Sequence, residues 1–512
     1  MSSTPTHQGL TRRQLLQAAG GITFLALAPE RKGVFAATFG RGRADLPTFS
    51  ALPYLQPGPT GISLAAHRES VVLAWQTDGI PAHFDVSFGV ASHSERKAEV
   101  HSVERLGGDL LVGDKRRNYS VTLDGLPLNA RYHYSVRMDG KPLLAGYGTT
   151  RKPRGVKARF VSFGDNSCGS PSDHAIAFYA YQARPDFVMN TGDNVYDHGL
   201  DHEYAQNFFP VYNSNTASPA AGAPLLRSVP FYSVIANHDL TGNDPHHSPV
   251  GDFTRHPDGF AYFTNLYLPL NGPTVDHLPL AIGDPAAIAQ FKACAGSRYP
   301  TMMNYSYDYG DAHFLCLDSN LYVDPTDAAL QAWIKRDLLS TDAAWKIVVY
   351  HHPAYNVGFD HYREQHMRVL SPLFEQFGVD LVLNGHEHNY QRSRPLRFEP
   401  NGEGSARNLG RGDRLVPGKF TVDRRFDGKS VTKPDGIIYI VTGAGGNDLY
   451  DPDSNNNPAR WVHPEDDNAD YVAVLISDRH SLSVFDMDHQ SLTLTQIDEH
   501  GAVIDTCRMT KA

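Results

Sequence analysis

Cysteine is scarce in this chain of 512 residues, which holds only Cys168, Cys294, Cys316 and Cys507. No two of them stand at a CxxC spacing, so zinc-finger and thioredoxin-like sites are excluded. Paired disulfides remain open in an oxidising compartment, with no pairing favoured. A bilayer-spanning run is also missing. Such a run needs about 20 predominantly apolar residues, whereas the stretch from Ala18 to Ala28 carries Gly20, Gly21 and Thr23 and ends at Pro29. No permanent membrane anchor is expected. Positive charge is short as well: the formal net charge is −10. Residues 1–36 contribute +3, which leaves about −13 on the remainder. A surface of that sign does not gather nucleic acid or anionic lipid. Affinity for a phosphate group would have to come from local positive charge, which bound cations supply.

Several segments are present instead. Thr11-Arg12-Arg13-Gln14-Leu15-Leu16 precedes the short apolar stretch, and Val34-Phe35-Ala36 offers small residues where a signal peptidase cuts. Residues 1–37 are therefore expected to be a twin-arginine signal peptide, read by the Tat export machinery, and the protein periplasmic or secreted. Residues 38–52, with Gly40-Arg41-Gly42-Arg43, have the composition of a linker. Residues 53–151 show short alternating runs such as Val71–Trp75, His83–Phe88 and Tyr132–Val136, which predict an all-β sandwich. Within it, Leu126-Pro127-Leu128-Asn129-Ala130-Arg131-Tyr132 resembles the tyrosine corner of a fibronectin type III module, and Trp75 is a core candidate. The expected role of this domain is to support its neighbour.

From residue 156 to 512 the pattern becomes α/β. Strand-like runs fall at Arg159–Phe163, Asp186–Asn190, Phe231–Ile235, His313–Leu317, Lys346–Tyr350, Val379–Leu383 and Ile437–Val441, and helical patterns at Asp173–Ala183, Asp327–Leu339 and His366–Phe377. Two long irregular insertions, 240–304 and 398–436, interrupt it. Insertions of that length are expected to be lids or unpaired excursions.

The chemistry lies at the strand ends. Ligands of open α/β sheets bind beyond the carboxyl ends of strands, and five strand candidates end in residues that bind metals. They run into Gly164-Asp165, Gly192-Asp193-Asn194-Val195-Tyr196, Asn237-His238-Asp239, His351-His352-Pro353 and Gly385-His386-Glu387-His388. Each motif alone is unspecific. Five in order, converging on one rim of one sheet, predict a metal centre.

This ordered set resembles the calcineurin-like metallophosphoesterase superfamily and, within it, the purple acid phosphatases. The likeness runs from about residue 158 to 447 and is most specific at Gly385–Ser393 and at Gly192-Asp193-x-x-Tyr196. It implies a four-layer α/β sandwich of two mixed sheets flanked by helices, preceded by the all-β sandwich. It also implies that Asp165, Tyr196 and His388 bind Fe³⁺, that Asp193 bridges, and that Asn237, His351 and His386 bind a divalent ion (Zn²⁺, Mn²⁺ or Fe²⁺). Oxygen donors suit hard ferric iron, whereas imidazole and amide suit the divalent ion. Three positions depart from the family pattern: two extra residues in Gly164-Asp165-Asn166-Ser167-Cys168-Gly169, Ala236 for glycine, and Gln391 for glutamate.

The resemblance further implies hydrolysis of small-molecule phosphate monoesters by a metal-bound hydroxide, with His238 and His361 contacting the phosphate and assisting the leaving group. Two other readings stand beside it. One is a diester-cleaving enzyme resembling alkaline phosphatase D; the other is a non-catalytic binding protein with the sandwich as its working part.

Overall fold

The computed structural model describes residues 46–59, 64, 67–90, 95–106, 115–240, 250–273, 279–401, 414–461 and 469–511. The expected signal segment, 1–37, lies outside them. The first strand, Phe49–Gln56, begins inside the stretch read as a linker, because Phe49 and Ala51 already pair with Thr77 and Gln76.

Residues 49–149 form two four-stranded antiparallel sheets, and alternate residues of their strands meet in one core. Trp75 lies at its centre, stacked on Tyr119 at 5.3 Å and edge-on to Phe84 at 5.1 Å. The expected tyrosine corner is not made. Tyr132 is buried, but its hydroxyl has no hydrogen-bond partner among the described residues. The neighbouring inward tyrosine, Tyr134, donates instead to the carbonyl of Arg227 at 2.8 Å, beyond the sandwich.

The remainder is built on two sheets. Three parallel strands, Phe231–Ser233, Phe187–Asn190 and Ala158–Phe163, continue into the antiparallel strands Ser481–Met487, Ser491–Asp498 and Val503–Thr510. The second sheet has seven strands. Ala312–Cys316, Trp345–Val349, Leu381–Asn384 and Ile438–Thr442 run parallel at its centre. These central strands are buried on both faces, as their continuous apolar runs require. The sheets face each other across an aromatic layer in which Phe160, Phe187 and Phe314 stack or meet edge-on. Helix Pro171–Gln182 covers the outer face of the first sheet and helix Ala328–Ser340 that of the second, giving four layers.

Two expectations about elements change. The pattern over His366–Phe377 is not one helix but a 3₁₀ turn, His366–Leu370, followed by α-helix Ser371–Gln376. Pro372 has no N–H to donate backwards, so it opens a helix and cannot sit within one. The described part of the 240–304 insertion is not an excursion. Its Phe253, Phe260, Phe263 and Phe291 pack on one another and around Tyr299, and belong to the same buried cluster as the residues between the sheets. From the second insertion, Phe398 and Phe420 pack around Tyr355.

The sandwich is welded to the α/β part. Arg105 and Asp201, both almost fully buried, form an ion pair at 2.6 Å. Gln76 Nε2 donates to the same carboxylate at 3.0 Å, and Tyr54 Oη donates to the Asn265 carbonyl at 2.8 Å. The four cysteines are free, three of them buried.

Candidate metal centre

The five motifs converge, though from two sheets rather than one. Asp165, the Asp193–Tyr196 turn and Asn237-His238 follow three adjacent parallel strands of the first sheet. His351 and the His386–His388 turn follow two adjacent parallel strands of the second. Parallel neighbours in register end at one edge, so each sheet delivers its set together. The Gly164 N–H bond to the Thr442 carbonyl, 3.0 Å, ties the two edges.

The chain turns sharply at each delivery point. Asp165, Asp193 and His386 adopt φ of 59°, 50° and 68°, the left-handed region that L residues avoid. Strain of this kind costs on the order of 1–3 kcal/mol per residue and collects at functional sites. The glycines beside them are forced by space. A Cβ on Gly192, itself at φ 100°, would lie 2.7 Å from Ala236 Cβ and 2.8 Å from His351 Nδ1. One on Gly385 would lie 2.6 Å from Asp165 Oδ2. Ala236, where the family has glycine, thus fills the room that Gly192 leaves. The lengthened loop after Asp165 is held by Asp173, which accepts from the N–H groups of Ser167, Gly169 and Ser170 at 2.8–3.0 Å. Gln391 is built in on both sides, accepting from Val357 N–H and donating to Asn389 Oδ1, each at 3.0 Å.

The polar atoms of the candidate ligands crowd one small volume. Tyr196 Oη lies 3.4 Å from Asp165 Oδ1, 3.2 Å from Asp193 Oδ2 and 3.3 Å from His388 Nε2. His351 Nε2 lies 3.3 Å from Asp193 Oδ2 and 3.8 Å from Asp165 Oδ1. Asp193, His351 and His386 each offer a donor atom within 4.8 Å of the others. The imidazoles are sorted by their second nitrogens. His351 Nδ1–H donates to the Thr191 carbonyl at 2.8 Å and His388 Nδ1–H to the Asp448 carbonyl at 2.7 Å, so both turn Nε2 inward. His386 is reversed: its Nε2–H donates to Glu364 Oε2 at 2.8 Å, so it can ligate a cation only through Nδ1.

Electrostatics favour cations here. Burial pushes the Asp165 carboxyl well above its ordinary range, against the pull of His351 and with Asp193 adding to the rise. Burial opposes ionisation of Asp193 too, yet His351 and His238 hold that carboxyl below its ordinary range. Burial disfavours a charged His351, but Asp193 and Asp165 outweigh it and lift the ring to about 9. Burial raises the Tyr196 phenol and lowers His388 to about 3, which leaves a neutral ring. A buried carboxylate pair thus draws positive charge inward, and multivalent cations supply more of it than one imidazolium does.

The donor set fits that reading. Asn237 is 1% exposed, and neither its Oδ1 nor its Nδ2 finds a hydrogen-bond partner among the described residues. Leaving such a group dry costs roughly 1–3 kcal/mol, and a coordinated cation would relieve the oxygen. Asp165, Asp193 and Tyr196 offer oxygens and His351, His386 and His388 offer nitrogens, a mixture suited to transition-metal ions.

His238 and His361 lie at the margin. His238 is half-buried; its N–H donates to Asp193 Oδ1 at 2.9 Å and its Nδ1–H to the Asp197 carbonyl at 2.8 Å. His361 sits 3.8 Å, ring to ring, from His386. Sequence reasoning assigned no role to Glu364, to Tyr450, stacked on His388 at 4.0 Å, or to Glu387, whose Oε2 accepts the His361 N–H at 3.2 Å. Glu387 stands inside the Gly-His-Glu-His motif and was within reach of that signal; the other two carry none.

Residues 159–390 match the model of the calcineurin-like phosphoesterase family. Purple acid phosphatase 17 of Arabidopsis thaliana is 29% identical over 43% of this chain, and the match spans 59% of that protein's length. Among solved structures, purple acid phosphatase PPD1 from yellow lupin superposes with a TM-score of 0.56 at 17% identity, covering 90% of this chain and 74% of its own. The structure of PhoD gives 0.52 at 14% identity, covering 91% of both chains. At these identities the two structures speak for the fold.

Proposed function

We propose that the protein is an exported binuclear metallophosphatase acting on phosphate monoesters, since residues 159–390 match the calcineurin-like phosphoesterase family and purple acid phosphatases are among the relatives. The observation that carries the reading is the convergence of Asp165, Asp193, Tyr196, His351, His386 and His388 on one buried volume, with the buried, unsatisfied Asn237 amide following the neighbouring strand. In this reading Asp165, Tyr196 and His388 would hold a ferric ion, Asn237, His351 and His386 would hold a divalent ion, and Asp193 would serve both sites. Bound there, the pair supplies Lewis acidity toward the phosphoryl oxygens and toward water.

The chain's own groups do the rest. His238, which donates Nδ1–H to the Asp197 carbonyl, would donate Nε2–H to a phosphoryl oxygen as the imidazolium, the only form with a proton on both nitrogens. His361 donates a proton to the ester oxygen as its bond to phosphorus breaks, which lets the alcohol leave neutral. Burial works against a charged His361, but Glu364, 3.6 Å from its Nδ1, and Glu387 more than offset it and raise its pKa. Export rests on the twin-arginine segment. Among the described residues no helix is long and apolar enough to cross a membrane.

The test is release of phosphate by the purified, metal-loaded chain from p-nitrophenyl phosphate and from bis(p-nitrophenyl) phosphate. The monoester is expected to be the better substrate, and His351→Ala to lose at least about 100-fold in kcat/KM, the scale of a lost ligand that fixes charge at the reacting group. A clear preference for the diester would shift the reading toward a phosphodiesterase. Release from neither would end it.

A further inference from the structure

The metal reading leaves one buried cluster without a role. On the far side of His386, Glu364 reaches in from the segment that also carries His361, and three imidazoles converge on it. Oε2 accepts from His386 Nε2–H at 2.8 Å and stands 3.9 Å from His352 Nε2; Oε1 stands 3.6 Å from His361 Nδ1. The rings are packed as well as paired. His386 lies 4.2 Å from His352 and 3.8 Å from His361, centre to centre. The Glu364 side chain is 21% exposed, and the His386 and His352 side chains 3% and 0%.

We propose that Glu364 is the positioning residue of the divalent site, fixing His386 as its Nε2–H tautomer so that this ring alone of the three binds through Nδ1. The inference rests on the metallophosphatase reading above. Its logic is that of hydrogen-bond accounting. A neutral imidazole carries one N–H, and the nitrogen that donates it is lost to coordination. For His351 and His388 the acceptor is a backbone carbonyl, so the choice is built into the main chain. For His386 the acceptor of Nε2–H is a side chain, the Glu364 carboxylate, which one substitution can change. The same carboxylate steadies His361 through its other oxygen, and thus links the divalent site to the group that faces the leaving oxygen.

The consequence is asymmetric. Loss of Glu364 should loosen the ion held by Asn237, His351 and His386 and leave the Tyr196 side intact, because the imidazoles that Glu364 meets are those of His386, His352 and His361. Partners of this kind are worth about 10–100-fold in metal affinity. The experiment takes the metal-loaded full-length chain, wild type, Glu364→Ala and Glu364→Gln, and dialyses each against graded chelator. Metal per chain is read by elemental analysis and the tyrosinate–iron band by visible absorption.

Wild type should hold two ions. Glu364→Ala should shed the divalent ion at chelator concentrations about 10–100-fold lower while keeping the visible band. Glu364→Gln, whose amide oxygen still accepts from Nε2–H, should fall between them and also control for misfolding. Equal retention of both ions in all three chains would overturn the positioning role and leave the metallophosphatase reading standing. Simultaneous loss of ion and band in both variants would overturn it too. A wild-type chain that holds no metal would remove both.

Discussion

At the scale of single residues, the site is a set of compromises that only make sense together. Three of its side chains hang from left-handed backbone, the buried Asn237 amide has no hydrogen-bond partner among the described residues, and two carboxylates are crowded against a phenol. Tyr196 is the most diagnostic member, since a phenolate on ferric iron absorbs visible light and the other six candidates do not. Tyr196→Phe should abolish the visible band while retaining a cation pair and part of the phosphate-releasing activity. Spectra of the two loaded proteins, with phosphate release in parallel, check this; an unchanged band would contradict the assignment. The seven candidates were legible in the sequence because each is a metal-binding residue type placed just after an apolar strand. Glu364 was not. A glutamate in an irregular stretch looks like any solvated acid, and its partner, His386, comes 22 residues later.

At the scale of elements, strand positions followed apolar runs closely. Expected Arg159–Phe163 is observed as Ala158–Phe163, and expected Lys346–Tyr350 as Trp345–Val349. Periodicity says nothing, however, about which sheet a strand joins. That is why five strand ends foreseen on one rim are divided three and two. The hairpin at the edge of the second sheet shows another feature that patterns hide. His313 is sealed between Asp308 and helix residue Asp337, with both ring nitrogens 2.8 Å from a carboxylate. Burial lowers its proton affinity, but the two carboxylates outweigh that and lift it from 6.5 to about 9.

The sign follows from linkage. The folded value lies above the unfolded one, so this contribution is complete below about pH 6.5 and fades as pH rises through about 9. Its size is roughly 3 kcal/mol. Thermal melts of wild type and His313→Gln should therefore converge on going from pH 6 to pH 9.5. A constant gap in melting temperature across that range would contradict the triad's charge state.

At the scale of the whole molecule, the fold exists to bring remote stretches together. Asp165 and His388 are separated by more than two hundred residues in sequence, yet Asp165 Oδ1 and His388 Nε2 are 3.5 Å apart. The two sheets that carry them share one buried apolar cluster, to which the 240–304 insertion contributes four phenylalanines. That contribution was not legible, because a segment rich in Pro, Gly, Asp and His reads as surface even when its aromatics point inward. The sandwich was legible as a domain from its alternation, but not its attachment. The Arg105–Asp201 pair joins residues with no local signal linking them.

The decisive observation is the metal content of the full-length protein recovered from its own export route. Elemental analysis should find two ions per chain, one of them iron, and prolonged chelation should abolish phosphate release, with recovery on adding the metals back. A protein that cleaves phosphomonoesters at full rate with no bound metal would contradict the reading.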